Sequence, residues 1–300
     1  MRKKKITREA LEQQLVLPMP LPEKIDTFDN HTFQIEHPIW TQNKALLIAR
    51  YLEYFCYVTH HGTYIDGFAG PQRIKNPEMW SAKLVLEYEP KRLKNFFLFE
   101  IDSKKVDLLE QLKKTCLEKD LKQKLKRRIE IFSGDCNTLI PEFLSQRLIS
   151  KKEATFCLLD QRTFECHWST VKALANYEKS QFKIELFYFL AEAWLNRAIK
   201  AIRNFDIIEK WWGRTDWQIL STVKSYDRAR IVCDRMKSEL GYKSVVPWPI
   251  YAKKTGGRIQ YFMLHATDHP EAPSLMNRAY KKAVSPREAS EQLNLFEDEN

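Results

Sequence analysis

Short apolar runs alternate with segments of helical periodicity along most of the chain. The first helical segment, 43–59, places Leu47, Tyr51, Phe55 and Val58 on one face. Runs that are apolar at consecutive positions are typical of strands covered on both faces. Such runs alternate with helices, which predicts a parallel sheet with helices on both sides. The five runs are 63–70, 95–102, 128–135, 154–160 and 182–191.

The last apolar segment has a different pattern. Residues 244–267 read as two strands joined by a turn at 254–257, so these two strands should be antiparallel neighbours. Five parallel strands followed by a terminal hairpin are typical of S-adenosylmethionine-dependent methyltransferases, in which the reversed last strand lies beside the fifth. Dinucleotide dehydrogenases normally lack this hairpin. We therefore predict a Rossmann-like α/β fold, a mostly parallel sheet with a terminal antiparallel hairpin.

The same patterns divide the chain. A Rossmann-like cofactor-binding core is expected first, then a helical insertion or cap, and then the hairpin and a helix that complete the core. An N-terminal extension and a C-terminal tail, both expected to be poorly ordered, flank these parts. The extension spans 1–34, the core 35–192 and the insertion 193–242. The hairpin with its helix spans 243–285, and the tail spans 286–300.

The predicted cap carries three tryptophans, Trp211, Trp212 and Trp217, interleaved with Arg214 and Asp216. Three interpretations stay open for this cluster. The tryptophans could cover the site, form a docking surface for a partner, or fill the core of a subdomain.

The net charge of the chain limits the possible classes of binding partner only slightly. The net charge of +10 favours an anionic partner without specifying a nucleic acid. Lysines cluster at 104–128, where they alternate with leucines at helical spacing. This pattern is typical of a solvated helix face, and it could also form a stripe that binds phosphates. No apolar run is long enough for a membrane span, and the six cysteines form no C-x-x-C pair. We expect a cytoplasmic protein with free thiols, no membrane partner and no metal.

The first candidate site follows the first strand, because ligands of open α/β sheets bind at the carboxyl ends of the strands. The chain there reads Asp66, Gly67, Phe68, Ala69, Gly70. Its small residues allow a close approach of the backbone to a ligand. The segment lacks the full G-x-G-x-x-G pattern of pyrophosphate binders. It suits an adenosyl cofactor without a pyrophosphate, and we predict S-adenosylmethionine.

Acids also follow the second and third strands. Glu100, with Asp102 close behind, stands where a carboxylate can accept both ribose hydroxyls, and Glu100 is our choice of the two. Asp135, next to Cys136, could hydrogen-bond the adenine amino group. Asp135 could equally cap the helix that follows, and the two roles are compatible.

The richest polar segment follows the fourth strand. Asp160 could orient or deprotonate a nucleophile, with Glu165 and His167 as further acid–base candidates. Arg162 could bind an anion. The adjacent Cys166 and His167 lack the spacing of a metal site. We expect the methyl acceptor to lie against this segment.

Several of these segments together resemble the three-Cys-motif partner family, TcmP. The matching pieces occur in order over about residues 35–283. They are WTQNKALLIARYL (40–52), YIDGFAGP (64–71), FLFEID (97–102), SGDCN (133–137), the strand ending at Asp160, WWGRTDW (211–217) and HATDHPEAPSLMNRAY (265–280).

The resemblance implies a methyltransferase-like Rossmann fold and a partner that carries a three-cysteine motif. The resemblance also implies that this partner is a radical-S-adenosylmethionine-type protein found beside phage-related genes. The family's Asp-Pro-Phe-Gly turn after the fourth strand is replaced here by Asp160, Gln161, Arg162 and Thr163. Two functions follow: a methyltransferase acting on a polar acceptor, nucleic acid included, or a binding subunit that keeps the fold without turnover.

Overall fold

The computed structural model describes residues 44–72, 79–88, 92–253 and 256–283. The predicted extension (1–34) and tail (286–300) lie outside the described residues. Seven strands form one sheet in the order β3-β2-β1-β4-β5-β7-β6. The strands are β1 (Gly62–Asp66), β2 (Leu93–Glu100), β3 (Arg128–Ser133), β4 (Thr155–Leu159), β5 (Glu185–Leu190), β6 (Ser244–Lys253) and β7 (Gly256–Thr267).

The pairing confirms the predicted parallel sheet and its terminal hairpin. Strands β1 to β5 run parallel to one another. Strand β7 lies between β5 and β6 and is antiparallel to both. Strand order reverses between β1 and β4, so the helices that follow them leave a crevice at the carboxyl ends.

Helices cover both faces of the sheet. On one face α1 packs against α2 and α10, and on the other α4 packs against α5. The helices are α1 (Lys44–Thr59), α2 (Ser81–Tyr88), α3 (Ser103–Gln123), α4 (Cys136–Ser145), α5 (Trp168–Ala175), α6 (Glu192–Ala201), α7 (Phe205–Trp212), α8 (Ile219–Thr222), α9 (Ser225–Leu240) and α10 (Ala272–Ala283).

The continuous apolar strands supply two cores, because successive side chains point to opposite faces. In β4, Phe156 stacks on Tyr64 of β1 with 6.1 Å between the ring centroids. Its neighbour Cys157 belongs instead to the core beneath α4 and α5. Every residue of β1, β4 and β5 is buried, as the apolar runs predict.

Helix α1 departs from its predicted face at one position. Leu47, Tyr51 and Phe55 are buried, but Val58 is 36% exposed. Val58 lies in the last turn of α1, beyond the packing partners that cover the first three turns. The lysine-rich segment forms α3, which buries Leu109 and Leu112 and leaves most of its lysines in solvent. Both interpretations of that helix stay open.

The tryptophan cluster is a buried core, so its use as an exposed docking surface is wrong. Trp211 and Trp212 are each 2% exposed and Trp217 is 8% exposed. The Arg235 guanidinium lies between the rings of Trp168 and Trp212, 4.3 Å and 4.0 Å from their centroids. These contacts join α5, α7 and α9 into one packed layer.

Two further expectations concern the cysteines and membranes. All six cysteines are free and buried. Within the described part of the chain, no helix has the length and apolar character that crossing a bilayer requires.

The buried position of Trp212 predicts a large stability cost. Trp212→Ala should lower the free energy of unfolding by about 3–5 kcal/mol, because it removes a buried indole and one wall of the Arg235 site. Ile207→Ala on the same helix is the matched control, since Ile207 is 46% exposed. Its cost should stay within about 0.5 kcal/mol. Equal losses in chemical denaturation would contradict a buried tryptophan core.

Candidate functional site

A cleft of about 460 Å³ lies at the carboxyl ends of β1 to β4. It brings together eleven of the thirteen residues predicted for cofactor and acceptor. From the cofactor set it takes Gly67, Phe68, Gly70, Glu100, Asp102, Asp135 and Cys136, and from the acceptor set Asp160, Arg162, Glu165 and His167. Cofactor and acceptor candidates therefore share one cavity, as the parallel topology predicts.

The other two predicted residues hold the turn after β1. The Asp66 carboxylate accepts from the Tyr64 hydroxyl at 2.8 Å and from the Phe68 amide at 3.0 Å. Ala69 is buried, and its carbonyl accepts from the Trp80 indole at 2.6 Å. Asp66 and Ala69 line a small adjoining cavity of about 10 Å³. Asp66 and Ala69 therefore support the turn after β1 without lining the cleft itself.

Glycine at position 70 leaves room for two side chains that pack closely on its backbone. A Cβ there would lie 2.2 Å from a carboxylate oxygen of Glu100 and 2.7 Å from the Lys105 side chain. The Gly70 amide donates to Glu100 at 2.9 Å, and the Asp102 amide donates to the other carboxylate oxygen at 2.9 Å. Glu100 is 7% exposed. The second strand thus fixes the glycine turn of the first through one buried carboxylate.

The third strand contributes a turn that is built around Asp135. Asp135 caps α4 by accepting from the Asn137 amide, so the predicted capping role is confirmed. The Asn137 side chain in turn accepts from the His167 amide at 2.7 Å and donates to the Glu165 carbonyl at 2.8 Å. This amide therefore ties the turn after β3 to the loop after β4. Burial raises the pKa of Cys136 to about 12, so this residue is a neutral thiol.

The loop after β4 is held in place by its own side chains. Gln161 is fully buried and spans from the Phe189 carbonyl to the Cys166 amide. Glu165 accepts from the Arg162 amide at 2.7 Å. The Arg162 side chain stays exposed at the mouth of the cleft. Burial lowers the pKa of His167, which favours its neutral imidazole.

Asp160 forms the closest ion pair of the site. The Lys44 ammonium lies 2.7 Å from each carboxylate oxygen of Asp160. The side-chain amide of Gln72 donates to one of these oxygens at 3.0 Å. Both partners are buried, with side chains 3% and 7% exposed. The ammonium also faces the rings of Phe189 and Tyr261, at 4.7 Å and 5.1 Å from the centroids. This arrangement fixes where the Asp160 carboxylate points.

Lys44 was not predicted as a site residue, although its position in the sequence carries a signal. Lys44 stands three residues before Leu47 and seven before Tyr51, on the apolar face of α1. A lysine on such a face is buried only if it meets an acid. Gln72 was also missed, since it lies two residues beyond the segment 66–70 that the sequence singles out. Its amide is a second support for Asp160.

The cleft is acidic in a chain whose net charge is +10. Five carboxylates line it, against the cations Lys105 and Arg162. The carboxylates are Glu100, Asp102, Asp135, Asp160 and Glu165. Such a lining favours a ligand that carries positive charge or hydroxyl donors over a dianion. Among the residues that the structure describes, no group of three or more metal-ligating side chains occurs.

The protonation of Asp66 gives a testable pH dependence. Burial raises the pKa of Asp66 to about 7, against the hydrogen bonds from Tyr64 and Phe68, which lower it. The contribution of this carboxyl to stability is therefore full below its ordinary pKa of 3.8 and is lost as the pH rises through about 7. Asp66→Asn, which stays neutral, should gain stability relative to the wild type over that range, by about 4 kcal/mol at most. Parallel curves of unfolding free energy against pH for the two proteins would contradict this.

The buried ion pair predicts strong coupling between α1 and β4. Lys44→Met and Asp160→Asn should each cost about 3–5 kcal/mol, because each leaves a buried charge without its partner. The double variant should recover much of that loss. The exposed Arg128–Glu130 pair is the control, and its coupling should be about 1 kcal/mol or less. Additive losses for Lys44 and Asp160 in a double-mutant cycle would rule out the pairing.

Comparisons with known proteins do not identify a family. No protein-family model matches the chain, and no curated protein matches it. The resemblance to the three-Cys-motif partner family stays a prediction that depends on the segments given above. The function is therefore argued from the cleft.

Proposed function

We propose that the cleft binds S-adenosylmethionine and that the chain is a methyltransferase acting on a polar acceptor, a class that includes nucleic acid. The observation that carries this proposal is the acid-lined cleft at the ends of β1 to β4 in a basic protein. The cofactor carries a sulfonium and an ammonium, and carboxylates attract both. A pyrophosphate would instead meet five carboxylates, and the turn after β1 lacks the full G-x-G-x-x-G pattern of pyrophosphate binders.

The order of the strands supports the same proposal. Strand β7 lies antiparallel between β5 and β6. A reversed last strand beside the fifth is typical of S-adenosylmethionine-dependent methyltransferases. Because folds host many functions, this topology supports the cofactor class and leaves the reaction to the site residues.

The cofactor side of the cleft has a role for each residue. Glu100 is fixed by the amides of Gly70 and Asp102, and its remaining lone pairs can accept two ribose hydroxyls. Asp135 and Cys136 border the place for the adenine, and Phe68 offers an apolar wall. When bound, the cofactor supplies an electrophilic methyl group on a good leaving group. The protein's main task is then alignment.

The acceptor side lies along the loop after β4. The neutral imidazole of His167 can accept a proton from the acceptor, and the exposed Arg162 can hold an anionic part of it. Asp160, fixed by Lys44 and Gln72, can orient a donor group of the acceptor. Glu165 fixes the backbone of Arg162.

A second candidate function is a binding subunit without turnover. Both oxygens of Asp160 already accept hydrogen bonds within the protein, which favours a structural role for this acid. In either case we propose a partner of the three-Cys-motif, radical-S-adenosylmethionine-like type, on the strength of the family resemblance. The two functions differ in whether a methyl group leaves the cofactor.

Cofactor binding can be measured by calorimetric titration with S-adenosylmethionine and its demethylated product. We expect one site per chain. Glu100→Gln should weaken binding by about 1–3 kcal/mol, because an amide cannot accept from two backbone amides and two hydroxyls. Glu110→Gln, an exposed acid on α3, should leave it unchanged. Tighter binding of NAD than of either adenosyl compound would place the chain in the dehydrogenase class.

A methyl-transfer assay distinguishes the two candidate functions. The full chain, alone and with its partner, is incubated with methyl-labelled cofactor and with nucleic acid or protein extract. Transfer that is lost in His167→Ala, while cofactor affinity is kept, supports the methyltransferase. A bound cofactor without transfer, with the partner present, would leave the binding subunit.

A further inference from the structure

A second cavity, of about 680 Å³, lies at the opposite edge of the sheet. Its lining includes Thr155 and Glu185, which begin β4 and β5, whereas the cleft lies where the strands end. Helix α1 reaches both places: Lys44 pairs with Asp160 of the cleft, and Tyr51 and Phe55 line the second cavity. We call it the amino-edge cavity. Its volume is within the usual range of ligand sites, about 300–1,000 Å³.

The lining of the amino-edge cavity is basic. Four lysines contribute to it, against the carboxylates Glu153 and Glu185. The lysines are Lys151, Lys152, Lys179 and Lys183. The cleft has the reverse balance, so the two ends of the sheet select ligands of opposite charge.

Two of these lysines are held by neutral acceptors. The Lys179 ammonium donates to the Ser150 carbonyl at 2.8 Å and to the Thr155 hydroxyl at 3.1 Å. The Lys183 ammonium donates to the Ala175 carbonyl at 3.1 Å. These bonds fix the ammonium groups. Burial lowers the pKa of Lys179 to about 8, and the charge of the Glu153 carboxylate opposes that shift.

The acid at the floor of the cavity is already satisfied. The Glu185 carboxylate accepts from the Tyr51 hydroxyl, from His265 at 2.9 Å and from the Thr267 hydroxyl at 3.1 Å. All four side chains are buried. Because its hydrogen bonds are made within the protein, Glu185 does not need a ligand cation.

One side of the cavity is apolar and aromatic. Phe55, Phe182 and Leu275 line it, and the Phe182 ring packs on His269 with 4.9 Å between centroids. A flat hydrocarbon body can cover such a surface while a charged group reaches the lysines.

We propose that the amino-edge cavity is a second ligand site, which binds an organic phosphate with a flat apolar body. The phosphate lies against Lys152, Lys179 and Lys183, since Lys151 already pairs with Glu178, and the body lies against Phe55 and Phe182. The inference is independent of the proposed methyl transfer, since it uses no residue of the cleft.

Phenyl phosphate is the probe for this site, titrated calorimetrically into the full chain. We expect one saturable site, also with S-adenosylmethionine present. Inorganic phosphate and phenol should each bind at least about tenfold more weakly, since each lacks one half of the recognition. Lys183→Ala should weaken phenyl phosphate binding about ten- to hundredfold, and the exposed control Lys122→Ala on α3 should not.

Three results would overturn the proposal. One is the absence of saturable binding up to about 1 mM phenyl phosphate. Another is a loss of binding in Arg162→Ala, which would place the anion in the cleft. The third is a Phe182→Ala variant that keeps the full preference for phenyl phosphate over inorganic phosphate. If thermal unfolding shows that Lys183→Ala does not fold, Lys152→Ala, at an exposed position of the same lining, replaces it.

Discussion

The site depends on one buried ion pair, between Lys44 of α1 and Asp160 after β4. Two opposite charges at 2.7 Å with side chains 3% and 7% exposed have lost most of their hydration, and each offsets part of that loss for the other. The pair therefore holds the first helix against the fourth strand, and with them the loop that carries Arg162, Glu165 and His167. Since Gln72 also donates to Asp160, the glycine turn after β1 meets the same carboxylate.

A second carboxylate performs the matching task on the other half of the cleft. Glu100 accepts from the amides of Gly70 and Asp102, so the turns after β1 and β2 share one acceptor. Asn137 then connects the turn after β3 to the loop after β4. Each turn of the cleft is thus tied to another turn by a side-chain hydrogen bond. The result is an acid-lined cavity, which suits the cationic methyl donor that we propose.

The sequence was sufficient for the sheet and for the location of the cleft. Parallel strands place their carboxyl ends at one edge, so acids such as Glu100 and Asp160 could be assigned to one cavity from their positions alone. The contacts within that cavity could not. Lys44 and Asp160 are 116 residues apart, and their pairing depends on how α1 packs across the sheet. The amino-edge cavity escaped prediction for the same reason, because loops distant in sequence supply Lys151 and Lys183.

Photo-crosslinking tests the central claim, that the cleft is the cofactor site, most directly. The full chain is irradiated with labelled S-adenosylmethionine, digested and mapped by mass spectrometry. We expect label in the peptides that contain Phe68 and Cys136, which both line the cleft, and its loss in Glu100→Gln. Label confined to peptides of the amino-edge cavity, or label unchanged in Glu100→Gln, would contradict it.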